Sequence, residues 1–169
     1  MIELMLMRHA KSDWYSHTSD IDRPLNSRGR DDAVAMGAFL ANKDLVLNKM
    51  IISPARRTQQ TAELLLKNLP VNKQQVLIDR DLYLADMESI SELIELYAAD
   101  EQRILLLAHN PGMDEMVSYL ADSTPPLSAN GKLMTTCAVA HFVLASVNTS
   151  RKHGSAELLG MYRPKEITI

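Results

Sequence analysis

The sequence has a single cysteine, Cys137, among its 169 residues. It therefore lacks the material for an intramolecular disulfide or a cysteine-ligated zinc site, which suits a reducing, cytoplasmic environment. No stretch of about 18 or more apolar residues occurs, which excludes an ordinary membrane-spanning helix. The N-terminal apolar run is short, contains Glu3 and follows no positive region, so it does not have the form of a signal peptide. Glycine is scarce, with six in the chain, and no glycine-rich phosphate loop of the nucleotide-binding type is present. An excess of positive charge is also missing. The formal net charge is −3, which argues against nucleic acid as a partner but leaves room for a local basic pocket. There is no internal repeat and no low-complexity tract.

What is present suits one globular domain spanning residues 1–169. The chain is 46% hydrophobic and 23% charged, ordinary for a protein that buries a core. Residues 2–7 read as a buried strand and residues 11–23 as a polar loop carrying Trp14 and Tyr15. Ser27 is positioned to cap a helix with Ala33, Met36, Gly37 and Leu40 on one face. A short apolar run, 50–52, precedes a helix beginning near Pro54 with Ala62, Leu65, Leu66 and Leu69 inward. Strand 76–78 precedes a helix with Ile90, Leu93, Ile94 and Tyr97 on one face. Strand 104–107 precedes one with Met113, Met116, Val117 and Leu120. Segments 137–144 and 156–162 read as antiparallel edge strands. Four strand–helix alternations predict a three-layer α/β/α fold, with a mainly parallel sheet covered by helices on both faces.

Three motifs follow three of the apolar runs: Arg8-His9-Ala10, the segment Ser53 to Thr61 with its pair Arg56-Arg57, and Ala108-His109-Asn110-Pro111. In open parallel sheets, ligands bind beyond the carboxyl ends of the strands, so these motifs are expected to meet at one edge. A neutral imidazole at His9 can attack phosphorus and split one displacement into two easier ones. Cations beside it keep it unprotonated. Arg8 and Arg57 offer planar forks that match phosphate oxygens, and His109, if protonated, adds a further donor. A helix starting near Pro54 would point N–H groups at the same anion. A metal mechanism needs converging carboxylates. Asp20, Asp22, Asp31 and Asp32 fall in a loop and a helix start instead, so the site is read as free of metal and cofactor. Arg56 reads as solvated. His17, His141 and His153 lack such company, Cys137 is a small core residue, and the ten methionines read as core filling.

These residues resemble the histidine phosphatase superfamily, also called phosphoglycerate mutase-like. The family pattern is Arg-His-Gly/Ala after the first strand, Ser-x-x-x-Arg-x-x-Gln-Thr after the second, and a later Ser/Ala-His. Arg57 occupies the arginine slot. The short length and the stretch Asp22-Arg23-Pro24-Leu25-Asn26-Ser27-Arg28-Gly29 are similar to the small, SixA-type branch of phosphohistidine phosphatases. The resemblance implies a phosphoglycerate mutase-like fold and a phosphohistidine intermediate on His9. It also implies a phosphate pocket of Arg8, Arg57 and His109, and action on phosphohistidine in phosphorelay or sugar-transport carrier proteins. Many members carry a glutamate after the third strand as general acid. Here Leu84 takes that slot, and Asp81 and Asp86 are the nearest candidate acids. Without an acid, alkyl phosphates should be poorer substrates than phosphohistidine, whose leaving imidazole carries its own proton. The chain has no long insertion to form a lid. Trp14 and Tyr15 are placed to meet a protein partner; the other reading is that Trp14 packs over the adjacent helix. Two other readings stand beside the protein phosphatase: a small-molecule phosphomonoesterase, and a phosphate-binding module with little turnover.

Overall fold

The computed structural model describes residues 1–98 and 103–168. Its strands are β1 (Ile2–Arg8), β2 (Lys49–Ile52), β3 (Val76–Ile78), β4 (Arg103–Ala108), β5 (Val139–Leu144) and β6 (Ala156–Tyr162). Its helices are α1 (Ser27–Asn42), α2 (Arg56–Leu65), α3 (Met87–Ala98) and α4 (Gly112–Leu120). The strands form one sheet in the order β3-β2-β4-β1-β5-β6. The first four run parallel, β5 is antiparallel to β1, and β6 is antiparallel to β5.

Alternate residues of a strand point to opposite faces, and both faces of this sheet are covered. Leu4, Leu6, Ile104 and Leu106 pack with Ile90, Leu93 and Ile94 of α3 and Met113, Met116 and Val117 of α4. Met5, Met7, Leu105 and Leu107 pack with Ala33, Met36 and Leu40 of α1 and Ala62 and Leu65 of α2. That double burial explains why β1 and β4 are nearly continuous apolar runs with no polar alternation.

Three details differ from the sequence reading. The cap of α1 is Asn26, whose side chain accepts from the Gly29 N–H at 2.8 Å, and Ser27 is the first helical residue. Helix α2 begins at Arg56, two residues past Pro54. Strand β5 is interior, held between β1 and β6, so the sheet edges are β3 and β6. Its residues are almost wholly buried, which small and large apolar residues satisfy as well in an interior strand as at an edge.

The strand order decides the site. Because β2, β4 and β1 are consecutive neighbours, the chain leaves all three at one place. The His9 N–H donates to the Ala108 carbonyl at 3.1 Å, and the Ser53 N–H to the Leu107 carbonyl at 3.1 Å.

Candidate active site

Arg8, His9, Arg57 and His109 line one cavity of about 230 Å³. His9 leaves the end of β1 with its ring buried. Its Nδ1 lies 2.7 Å from the Ala10 carbonyl oxygen. A carbonyl can only accept, so Nδ1 carries the proton and Nε2 bears the lone pair. Burial draws its pKa down to about 3, helped by the charges of Arg57 and Arg8, against the bond to Ala10. His9 is therefore a neutral imidazole at neutral pH with one defined tautomer.

His109 begins the loop after β4, and its ring centroid is 5.3 Å from that of His9. Its Nδ1 lies 3.2 Å from Arg57 Nη2. Guanidinium nitrogens only donate, so Nδ1 accepts and Nε2 donates to Ser53 Oγ at 2.7 Å. Burial, then the Arg57 charge, lowers its pKa to about 3. In this arrangement His109 holds Arg57 as a neutral acceptor and is not the protonated donor considered from sequence.

Arg57 is buried to 1% exposure, whereas its neighbour Arg56 faces solvent. The difference follows from the helix: successive side chains diverge by about 100° at 3.6 residues per turn. Arg57 Nη1 donates to the Asp20 carbonyl at 2.6 Å and Nη2 to its carboxylate at 3.1 Å. Thr61, one turn on, donates to the Arg57 carbonyl at 2.7 Å and accepts the Ala10 N–H at 3.0 Å. That hydroxyl ties α2 to the residue after His9, a physical reason for threonine at the end of the second motif.

The structure adds residues that the sequence reading did not nominate. Arg23 is buried, with its guanidinium 3.6 Å from the Trp14 ring centroid. It donates to Ser12 Oγ and, at 3.0 Å, to Asp20 Oδ1. The signal for it was its place in the 22–29 stretch, which carried the resemblance but gave no contact. Asp20 joins Arg23, Arg57 and Tyr83, whose hydroxyl donates to Asp20 Oδ2 at 2.5 Å. The Tyr83 bond first, then Arg23 and Arg57, hold the Asp20 carboxyl well below the usual carboxylate range, outweighing its partial burial. Among the described residues, Arg8, Arg23 and Arg57 each keep a buried Nε–H with no protein acceptor. Buried donors are normally paired, so three such donors around one cavity suit an anion.

Close backbone packing fixes the cavity walls. A Cβ on Gly29 would fall 2.0 Å from the Lys11 carbonyl oxygen, and one on Gly112 would fall 2.0 Å from that of Ala85. These two glycines let the loops after β1 and before α3 sit against α1 and α4.

Leu84 lines the cavity, so an apolar side chain does face the site from the loop after β3. Asp81 and Asp86 are not brought to His9. They line a neighbouring hollow with Arg80, Ser89 and Leu96. Asp86 accepts from the Ser89 N–H at 2.9 Å, and its bonds to Ser89 lower its pKa, the opposite of what an acid needs. Trp14 is 70% exposed and Tyr15 88%. Trp14 rests one face on Arg23 rather than packing over a helix. His141 is buried and bonded to Glu3 at 3.1 Å, and burial raises the Cys137 thiol pKa.

The model of the histidine phosphatase superfamily, branch 1, matches residues 4–121. The chain belongs to this superfamily and is a phosphatase. An uncharacterized protein of Mycobacterium leprae is 25% identical over 166 residues, covering 94% of this chain and all of that protein. Phosphoserine phosphatase 1 of Hydrogenobacter thermophilus is 31% identical over 108 residues, covering 61% of this chain and 50% of that enzyme. The fold is that of the protein histidine phosphatase SixA, solved as a tungstate complex. The two superpose with a TM-score of 0.80 at 23% identity, over 97% of this chain and 98% of that one. No helix among the described residues is long and apolar enough to cross a membrane.

Proposed function

We propose that this histidine phosphatase hydrolyses phosphohistidine on proteins through a phosphoenzyme at His9, acting in the cytoplasm and without a metal. The observation that carries the reading is the tautomer of His9. Its proton is committed to the Ala10 carbonyl, which leaves Nε2 free to attack in a cavity walled by Arg8, Arg23, Arg57 and His109.

In the first step the Nε2 lone pair forms a bond to phosphorus, and the substrate's N–P bond breaks with its electron pair going to the departing imidazole, which leaves with its own proton. In the second, water attacks the phosphorus of phospho-His9, the Nε2–P bond breaks with its electron pair returning to Nε2, and inorganic phosphate departs carrying the water's protons. The arginines stabilise charge on the equatorial oxygens in both steps. Leu84 supplies no proton, which suits a leaving group that needs none. The shared fold with a protein histidine phosphatase supports the substrate class. The phosphoserine phosphatase relative supports the competing reading, a small-molecule monoesterase.

A time course of dephosphorylation separates the two. The protein is incubated, after exhaustive EDTA treatment, with histidine-phosphorylated carrier proteins and, in parallel, with phosphoserine and sugar phosphates. Faster loss from phosphohistidine, unaffected by added magnesium, manganese or zinc, is expected. Preference for phosphoserine or a sugar phosphate would sink the protein-substrate reading, and strict dependence on a metal would sink the mechanism.

A further inference from the structure

A second cavity, about 430 Å³ in volume, adjoins the catalytic one and shares Arg8, Lys11 and Thr136 with it. Six cations line it, namely Arg8, Lys11, Arg28, Lys132, Arg163 and Lys165, against one carboxylate, Glu166. The protein as a whole carries a net charge of −3, so its composition does not account for this concentration of positive charge.

Arg8 belongs to the catalytic cavity, and the other five cations divide into two sets. Arg163 is buried, donates to the Leu133 carbonyl at 3.0 Å and to that of Pro126, and pairs with Glu166 at 3.0 Å. It builds the floor, and its charge is cancelled there. Arg28 pairs loosely with Asp32 at 3.7 Å. Lys11, Lys132 and Lys165 have no carboxylate within ion-pairing distance among the described residues. Lys132 stands on a turn closed by its own N–H donating to Ser128 Oγ at 3.1 Å and by Ser128 N–H donating to the Lys132 carbonyl at 2.8 Å. Lys165 follows β6, and both lysines are exposed. Lys165 lies within electrostatic reach of Asp32 but beyond ion-pairing distance, so the groove presents ammonium groups with no salt-bridge partner among the described residues along a path leading from His9.

We propose that this groove binds acidic side chains flanking the phosphohistidine of a protein substrate. The inference rests on the phosphohistidine reading above. Charge complementarity selects an anionic occupant, and the shared wall at Arg8, Lys11 and Thr136 lets one chain reach both the groove and the phosphoryl group at His9. The groove is larger than the catalytic cavity, 430 against 230 Å³, so it admits a peptide segment and not only a second phosphate. Compact ammonium groups on flexible stems suit carboxylates in several positions, whereas a fixed bidentate fork would demand one geometry.

The test uses two peptides of equal length with a central phosphohistidine, one flanked by Asp and Glu, the other by Asn and Gln. Their unphosphorylated forms serve as binding probes, followed by fluorescence anisotropy. The variant is Lys132→Gln with Lys165→Gln; both residues are exposed and lie outside the catalytic cavity. The wild type should favour the acidic peptide in binding and in kcat/KM. The double variant should lose about threefold to tenfold of that preference, as expected for two exposed charge pairs, with the neutral peptide's turnover unchanged. The preference should also shrink with added salt. Equal binding of the two unphosphorylated peptides by the wild type, or a preference undiminished in the double variant, overturns the proposal. A bisphosphorylated small molecule displacing the acidic peptide at much lower concentration overturns the choice of occupant. Selective binding of the acidic peptide without hydrolysis of its phosphohistidine upholds the groove and removes the substrate reading instead.

Discussion

Asp20 and Arg57 are joined twice, through the Asp20 carbonyl at 2.6 Å and its carboxylate at 3.1 Å. One loop residue thereby occupies both terminal nitrogens of the most buried arginine in the protein. The same carboxylate holds Arg23 and Tyr83. Asp20 organises the cations of the site and also competes with any anion for them.

Asp20→Asn should therefore tighten inhibition by inorganic phosphate. The amide keeps a hydrogen-bond acceptor for Arg57 but removes a negative charge from the cavity. Asp20 is 45% exposed on its side chain, so solvent screening limits the gain to a few-fold. The inhibition constant for phosphate, measured at constant ionic strength, checks this. Weaker inhibition would mean that positioning Arg57 matters more than competing for it.

A rapid-quench reaction should trap a phosphoenzyme that is acid-labile and base-stable, as a phosphoramidate is. It should disappear in His9→Ala. Label retained in that variant, or mapped to Cys137 or an aspartate, means another nucleophile.

Arg57→Ala should lower turnover by about 10²–10³, the usual cost of deleting a preorganised donor to developing charge. Arg56→Ala should stay near wild type, because Arg56 faces solvent. Steady-state kinetics of the two variants side by side decide it, and equal losses would remove the assignment of the pocket arginine.

His9 and His109 both have folded pKa values near 3, below the ordinary histidine value. As pH falls, the unfolded chain takes up these protons first. Their stabilising contribution is present above about pH 6.5 and is progressively lost as pH falls toward 3. Denaturant unfolding should show stability declining from pH 6.5 downward. In NMR titrations of the free enzyme, neither imidazole should pass a midpoint between pH 5 and 8. A midpoint near 6.5 for His9 would contradict the buried neutral tautomer.

Leu84→Glu should raise turnover of alkyl phosphates selectively. A positioned general acid contributes about 10²–10⁴-fold, and Leu84 already lines the cavity. The position is 58% exposed and its φ is 52°. A carboxylate there meets water, and the backbone strain is already present with leucine. Ratios of kcat/KM for glycerol phosphate against a phosphohistidine peptide give the readout. An unchanged ratio would show that the slot does not reach the leaving oxygen.

Residue order determined which reactive groups would leave the strand ends, and the neighbouring places of β2, β4 and β1 in the sheet brought them together. The runs ending at Arg8-His9, Ser53 and His109 are local patterns. Parallel β1, β2 and β4 bring their ends together because each is followed by a helix that packs back across the sheet. The apolar stripes Ala33-Met36-Leu40 and Met113-Met116-Val117-Leu120 were equally legible, since a helix repeats every 3.6 residues whatever it packs against. The cap at Asn26 and the interior place of β5 were not, because each depends on which neighbour the chain finally meets. The same holds for most of the site's electrostatics. Arg23 joins through a loop whose path depends on the close approach of Gly29 to Lys11. Asp20 bridges Arg23, Arg57 and Tyr83 from three separate segments. His109 is neutral because it is buried beside Arg57, and Ser53 and Arg57 fix which of its nitrogens accepts. The basic groove is assembled from residues as far apart as Lys11, Lys132 and Lys165. Local sequence encodes which groups are available, but their pairing and their protonation are set by long-range contacts and by burial, which only the folded chain provides.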